Sequence, residues 1–277
     1  MDTRPIGVFD SGMGGLTAVR QMFRLLPGED IVYFGDTGRV PYGGRSAETI
    51  VRYARQDVAF LLGFDLKAIV IACGTVSTTA LDVLKRENAI PILGVVQPAA
   101  KAAVRASKTG GIGVIGTKAT IRSGAYEAAI RAIQPEAKLT AKACPLLVPL
   151  VEDGRVKRGD PVTERVVEEY LSPVRAAGVD TLVLGCTHYP LLRDVISDYM
   201  GAQVALIDTG EEAARAAAAL LGEGDMLNDP AREGERRYYA SDSAEDFAAT
   251  ASLFLGSDIT DCVERVAIET YPSEEKA

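Results

Sequence analysis

Four short segments carry the residues able to move protons: Asp10-Ser11-Gly12-Met13-Gly14-Gly15, Cys73-Gly74-Thr75, Thr117-Lys118-Ala119-Thr120 and Cys186-Thr187-His188-Tyr189. Together they hold an acid, two of the 4 cysteines, several hydroxyls and the single histidine of the chain. A free cysteine is by default a small buried hydrophobe, and that reading stands for Cys144 and Cys262. Cys73 and Cys186 differ, because each follows an apolar run of the same kind, Ile69-Val70-Ile71-Ala72 before one and Leu182-Val183-Leu184-Gly185 before the other. If these runs are equivalent strands of two units packed face to face, the thiols flank one cleft from opposite sides. That is the geometry of two-base stereoinversion. One thiolate removes a proton from a carbon acid, and the opposing thiol delivers one to the other face of the planar carbanion. A single base would return the proton to the face it left. Thiolate is the working form, favoured by a helix N-terminus or a nearby cation. Asp10 and His188 are the nearest groups able to pass protons to and from the sulfurs. His188, followed by Tyr189-Pro190, reads equally well as an ordinary helix-entry residue.

These segments need strand ends to position them, since open α/β sheets bind ligands outside the carboxyl ends of their strands. Short β-branched runs alternate with amphipathic segments, the pattern of parallel strands covered on both faces by crossover helices. The fold class is therefore α/β. The expected strands are 6–9, 31–34, 68–72, 92–95, 112–115, a weaker one at 139–143, 181–185, 204–207 and, after a polar connection at 222–235 that reads as an exposed loop, 237–240. In the helix expected after Gly44, Ser46 can cap the start, Gly63 can end it, and Ile50, Ala54, Val58 and Leu61 share one apolar face.

A faint repeat accompanies this pattern. Ile6-Gly7-Val8-Phe9-Asp10-Ser11 matches Ile112-Gly113-Val114-Ile115-Gly116-Thr117, and Ile69-Val70-Ile71-Ala72-Cys73-Gly74-Thr75 matches Leu182-Val183-Leu184-Gly185-Cys186-Thr187. The expectation is two similar parallel-sheet α/β domains related by a pseudo-twofold axis, with the active site in the cleft between them. The first would span 1–97, completed by 209–277, and the second 98–208.

Other chemistries fit less well. The 277 residues are 47% hydrophobic and 25% charged, which suits a globular protein with ample core and disfavours disorder. Thirty Lys and Arg against 38 Asp and Glu give a net charge of −8 and no basic stripe, so nucleic acid is not expected as a main ligand. The N-terminus has no basic n-region or small-residue cleavage site, and no window approaches the roughly 18 uninterrupted apolar residues of a membrane span, so neither membrane nor export is expected, and a cytoplasmic location with free thiols follows. A G-x-G-x-x-G run would need glycine at Thr17, no Gly-Lys-Ser/Thr exists, and one histidine excludes H-E-x-x-H. A pyridoxal-phosphate reaction would need a Schiff-base lysine, for which Lys118 is the lysine at these strand ends. A metal held by Cys73, Cys186 and His188 has no local ligand pair beyond Cys186-x-His188. No cofactor or metal is expected.

Read jointly and in order, the segments also resemble those of the glutamate racemases. The resemblance rests on 6–15, Tyr33-Phe34-Gly35-Asp36-Thr37 leading to Pro41-Tyr42-Gly43, Ile71-Ala72-Cys73, 112–117, Cys144-Pro145 leading to Leu150-Val151-Glu152-Asp153-Gly154, and 185–191. It implies a cofactor-independent bacterial enzyme interconverting L- and D-glutamate for peptidoglycan and cell shape, often a homodimer. By it, Cys73 and Cys186 are the two acid/base residues, with Asp10 assisting the first and His188 and Glu152 on the second side. Asp10, Ser11, Tyr42, Gly43, Gly74, Thr75, Thr117, Thr120, Thr187 and His188 would hold the amino acid. Glu152 has no signal of its own, being one acid among 38. The family pattern is Cys-Asn-Thr where this chain has Cys73-Gly74-Thr75, so a side-chain amide is missing. That departure leaves an aspartate racemase, another cysteine-dependent enzyme of the superfamily, or a non-catalytic glutamate-binding protein as alternatives.

Overall fold

The computed structural model describes residues 1–274. Its ten strands, among the described residues, are β1 (Ile6–Asp10), β2 (Ile31–Gly35), β3 (Ala68–Ile71), β4 (Ile92–Gly94), β5 (Gly111–Gly116), β6 (Lys138–Ala143), β7 (Thr181–Leu184), β8 (Ala205–Asp208), β9 (Arg236–Ala240) and β10 (Val263–Arg265). They form two wholly parallel sheets, ordered β10-β9-β2-β1-β3-β4 and β6-β5-β7-β8. The molecule is thus α/β with two parallel-sheet domains. The segments β2-β1-β3-β4 and β6-β5-β7-β8 have the same order, each unit's first strand lying between its second and third. Central strands β1, β2, β3, β5 and β7 are buried along their whole length, which only helices on both faces can achieve. Strand β6 is an edge and mostly half-buried, the physical reason its hydrophobic signal is weak.

Register decides what the strand ends present. Phe9 pairs with Ile71 between β1 and β3, and Ile115 pairs with Leu184 between β5 and β7. Ser11 and Cys73 therefore leave the first sheet side by side, one residue past Asp10, and Thr117 and Cys186 leave the second in the same way.

The helix Ala47–Leu61 follows its sequence logic. Ser46 accepts a hydrogen bond from the Thr49 amide, and Ile50, Ala54, Val58 and Leu61 are buried against the first sheet. Ser46→Ala removes the partner of a first-turn N–H and is expected to cost about 1 kcal/mol. The check is the urea unfolding midpoint, where an unchanged value would mean the cap contributes nothing. Gly63 does not end this helix in a left-handed turn; Leu62 caps it, and the Gly63 amide merely closes onto the Phe60 carbonyl.

The chain returns to the first sheet through helix Thr209–Glu223. Asp208 caps it by accepting from the Gly210 and Glu211 amides, at 2.8 and 3.2 Å. It packs on helix Leu16–Leu25, where a side chain at Gly210 would stand 3.1 Å from the Ala18 Cα. β9 then pairs with β2 and β10 with β9. Strand β10 has no counterpart in the sequence expectations: it is three residues at a sheet edge, two of them exposed charges. The 222–235 connection is also less free than expected. Asn228 and Gly234 are buried, the Asn228 amide donates to Glu29, and the Lys67 ammonium, paired with Glu29, donates to the carbonyls of Asp2 and Met226. Among the described residues, no helix is long and apolar enough to cross a membrane.

Candidate active site

A cavity of about 450 Å³ lies where the carboxyl ends of the two sheets meet. Cys73, after β3, and Cys186, after β7, both line it. Ser11, Gly12, Gly43, Gly74, Thr75, Thr117, Thr187, His188 and Glu152 share its wall, with Val40, Pro41, Pro145, Val148 and Pro149 supplying apolar surface. A few convergent polar groups in a mostly apolar hollow are what a small-molecule site requires.

The two thiols differ in their surroundings. Cys73 precedes helix Gly74–Thr79, and its Sγ lies 3.3 Å from Ser11 Oγ. Burial, and then the charge of Asp10, push this thiol up to about 12, outweighing the donors Ser11 and Val76. It is therefore a neutral thiol at physiological pH. Asp10 is fully buried and accepts from the Gly12 amide at 3.1 Å; burial raises it above the ordinary carboxylate range despite the nearby His188. It stands behind the wall, in contact with Cys73 and 3.5 Å from Thr187 Oγ1.

On the other side, Cys186 Sγ lies 3.8 Å from His188 Nδ1, and His188 Nε2 lies 3.0 Å from Glu152 Oε1. Burial alone would push the imidazole down. The hydrogen bonds to Cys186 and Glu152, with the charge of Asp10 adding to them, outweigh it and raise His188 to about 10. The ring is thus a cation at neutral pH, with Glu152 fixing its far nitrogen. Phe254 packs edge-on against it at 5.4 Å, and the next residue, Tyr189, is anchored by its hydroxyl donating to the Cys144 carbonyl at 2.8 Å. A cation against one thiol and an acid against the other gives the cleft a built-in asymmetry.

Two expected site residues contribute differently from their hydroxyl chemistry. Thr120 is buried behind Thr117, its amide and hydroxyl both bonded to Thr117 Oγ1, so it buttresses the wall. Tyr42 lines the cavity, but its hydroxyl turns inward to Asp36 and Asp57. Those acids share Arg39, whose guanidinium bonds Asp36 at 2.6 Å and Asp57 at 2.9 Å. Burial and the charge of Asp36 drive Asp57 well above its ordinary range. This cluster pins the loop that carries Tyr42 and Gly43, and no local motif announces it, because Asp57 arrives from a helix face that reads as ordinary surface. Glu152 had equally little signal: only the fold brings the end of helix Leu147–Glu152 to the His188 ring. The remaining two thiols stay apart from the cavity wall, Cys144 buried and Cys262 exposed. Lys118 is exposed at the cavity edge. Among the described residues, no cluster of three or more His, Cys, Asp or Glu side chains is arranged to hold a metal ion.

A duplicated parallel α/β unit that brings a thiol from each half to one cavity is built to reach a small molecule from two sides. The chain belongs to the Asp/Glu/Hydantoin racemase family of isomerases, whose model matches residues 14–217. It is 45% identical over 269 residues to the glutamate racemase of Geobacter metallireducens, covering 97% of this chain and 98% of that one. Among solved structures, a glutamate racemase isoform from Bacillus anthracis superposes with a TM-score of 0.90 at 38% identity, over 96% of this chain and 98% of that one. The glutamate racemase of Francisella tularensis in complex with D-glutamate does so with a TM-score of 0.89 at 38% identity, over 98% and 100%.

Proposed function

We propose that this protein interconverts L- and D-glutamate by proton transfer at the α-carbon between Cys73 and Cys186, without a cofactor, and so supplies D-glutamate for peptidoglycan. The observation that carries the reading is the pair of thiols, one from each sheet, on a single small cavity, each with its own ionisable neighbour. In one direction of turnover Cys186, beside the His188 cation, acts as the base, and Cys73, a neutral thiol, acts as the acid. The Cys186 thiolate takes the α-hydrogen as a proton, leaving its electron pair on the α-carbon, where the adjacent carboxylate delocalises it. Cys73 then gives its proton to the opposite face, and the two sulfurs have exchanged roles. Asp10 and the His188–Glu152 pair return each sulfur to its starting state. Amides of Ser11, Gly43, Gly74 and Thr75 and hydroxyls of Thr75, Thr117 and Thr187 are the donors available to the two carboxylates. In this reading residues 1–97 with 209–277 form one domain and 98–208 the other; the resemblance carries a cytoplasmic homodimer with it.

Incubation with L-glutamate, and separately L-aspartate, in deuterated water followed by chiral analysis is the test. D-glutamate carrying deuterium at the α-carbon is the expected product. Conversion of aspartate alone would reassign the substrate, and neither inversion nor exchange would overturn the reading in favour of a binding protein.

A further inference from the structure

The glycine run at 12–15 departs from a nucleotide-binding turn at Thr17, and the hydroxyl found there reaches the other domain. On its inner side the turn is tied to the first sheet. Asp10 accepts from the Gly12 amide at 3.1 Å and from the Gly15 amide, and the Tyr33 hydroxyl donates to the Gly12 carbonyl at 3.0 Å. Its outer side lies against the second domain. A side-chain carbon at Gly14 would collide with Thr187 Oγ1 and stand 2.5 Å from His188 Nδ1, so bare backbone backs the imidazole there.

Thr17, buried in the first turn of helix Leu16–Leu25, makes a polar contact across this boundary. Its Oγ1 lies 2.9 Å from the Gly14 carbonyl oxygen and 3.0 Å from the Thr187 carbonyl oxygen. A hydroxyl has one hydrogen to share between them, and the Gly14 carbonyl already accepts from the Thr17 amide at 3.0 Å. The Thr187 carbonyl is in a different position. The turn after Cys186 is closed by bonds that each span three residues, from the Tyr189 amide to the Cys186 carbonyl at 3.1 Å and from the Leu191 amide to the His188 carbonyl at 3.2 Å. Between these two, the Thr187 carbonyl would take its bond from position 190, where Pro190 has no N–H to give. A hydroxyl from the first domain fills the gap that the proline leaves.

We propose that Thr17 is a positioning residue, which reaches across the domain boundary to the Thr187 carbonyl and so holds the His188 imidazole beside Cys186. Its catalytic consequence rests on the two-cysteine reading above. The Thr187 carbonyl and the His188 N–H belong to one planar peptide unit, so fixing the oxygen fixes the attachment of the ring. Without the hydroxyl that carbonyl, on a buried residue, is left unpaired, an unfavourable state that drives the plane to turn. The ring then withdraws from Cys186, while Cys73 keeps its 3.3 Å contact with Ser11. The ionisable groups facing the ring are Cys186, Glu152 and Asp10, and loss of the Cys186 contact removes one of those that raise it.

His188 is the single histidine of the chain, so protein made with isotope-labelled histidine and no histidine tag gives one titrating imidazole signal by NMR. The test is Thr17→Val, which keeps the shape and removes the hydroxyl. The His188 midpoint is expected to fall below that of the wild type. With it, kcat is expected to drop roughly 10-fold, the cost of a displacement well under an ångström, and KM to change less. Thr17→Ser, which keeps the hydroxyl, is expected to recover most of both, an outcome that a packing role for the threonine methyl would not produce. Thr17→Ala carries the test if Thr17→Val does not fold, since alanine suits a helix best. An unchanged midpoint in a folded variant lacking the hydroxyl overturns the positioning role, whether or not the wild type racemises. A lowered midpoint with unchanged kcat in an active enzyme overturns the catalytic consequence. A lowered midpoint in a protein whose wild type neither inverts nor exchanges glutamate upholds the positioning and overturns the racemase reading alone.

Discussion

Cys73→Ala and Cys186→Ala are each expected to lower racemisation in both directions by about 10³-fold or more, toward the upper end of what one positioned acid or base supplies. Inversion needs a base on one face and an acid on the other, so deleting either sulfur removes one half of every turnover. The surviving half makes the prediction sharper. With Cys73→Ala, Cys186 still faces one enantiomer and can exchange its α-hydrogen with solvent deuterium without inverting it. With Cys186→Ala, Cys73 can do so only for the mirror image, and more slowly, because burial and Asp10 hold that thiol near 12. Opposite enantiomer preferences in exchange, read by mass and chiral analysis of recovered glutamate, are therefore expected. Full turnover by either variant would eliminate two-cysteine catalysis, and equal exchange of both enantiomers by one variant would show that the thiols do not guard separate faces.

His188→Asn is expected to cost about 10²-fold in kcat, and Glu152→Gln to shift the pH profile rather than abolish activity. Burial disfavours the imidazolium, yet its contacts with Cys186 and Glu152 hold it near 10, above an ordinary value of 6.5. The sign follows from that direction. The contribution of His188 to folded stability is complete below the ordinary histidine value and fades as the pH climbs toward about 10. If the cation stabilises the Cys186 thiolate, activity falls along the same alkaline limb. Exchanging the Glu152 carboxylate, 3.0 Å from Nε2, for an amide removes one of the groups raising His188. The alkaline limb of kcat/KM is then expected to move to lower pH, with the acid limb unmoved. A profile superimposable on wild type would mean that Glu152, exposed over 43% of its side chain, is too well solvated to matter.

How much of this was legible beforehand depended on how local each signal is. Strands buried on both faces announce themselves, because a parallel sheet under helices demands continuous apolar runs. All nine expected strands lie within one residue of their observed bounds at each end. Strand β10, a charged edge supported from one side, carries no such demand and gave no signal. The same holds at the cavity. Asp10 ends its strand, and Thr117, Cys73 and Cys186 lie within two residues of the ends of theirs, so finding the strand finds the residue. Glu152 reaches His188 from a helix 36 residues earlier, and Asp57 reaches Tyr42 across 15, and neither distance has a sequence pattern.

By itself, then, the amino-acid order determined the α/β class, the repeated unit and which ionisable residues stand at the strand ends, because burial periodicity and strand termination are properties of contiguous residues. Tertiary structure alone decided which acid holds the histidine, why the Tyr42 hydroxyl is turned from the cavity, and that the Thr17 hydroxyl meets the Thr187 carbonyl. Those are contacts between segments far apart in the chain, and distances across an interface are set by the packing of whole sheets and helices, which no short run of residues encodes.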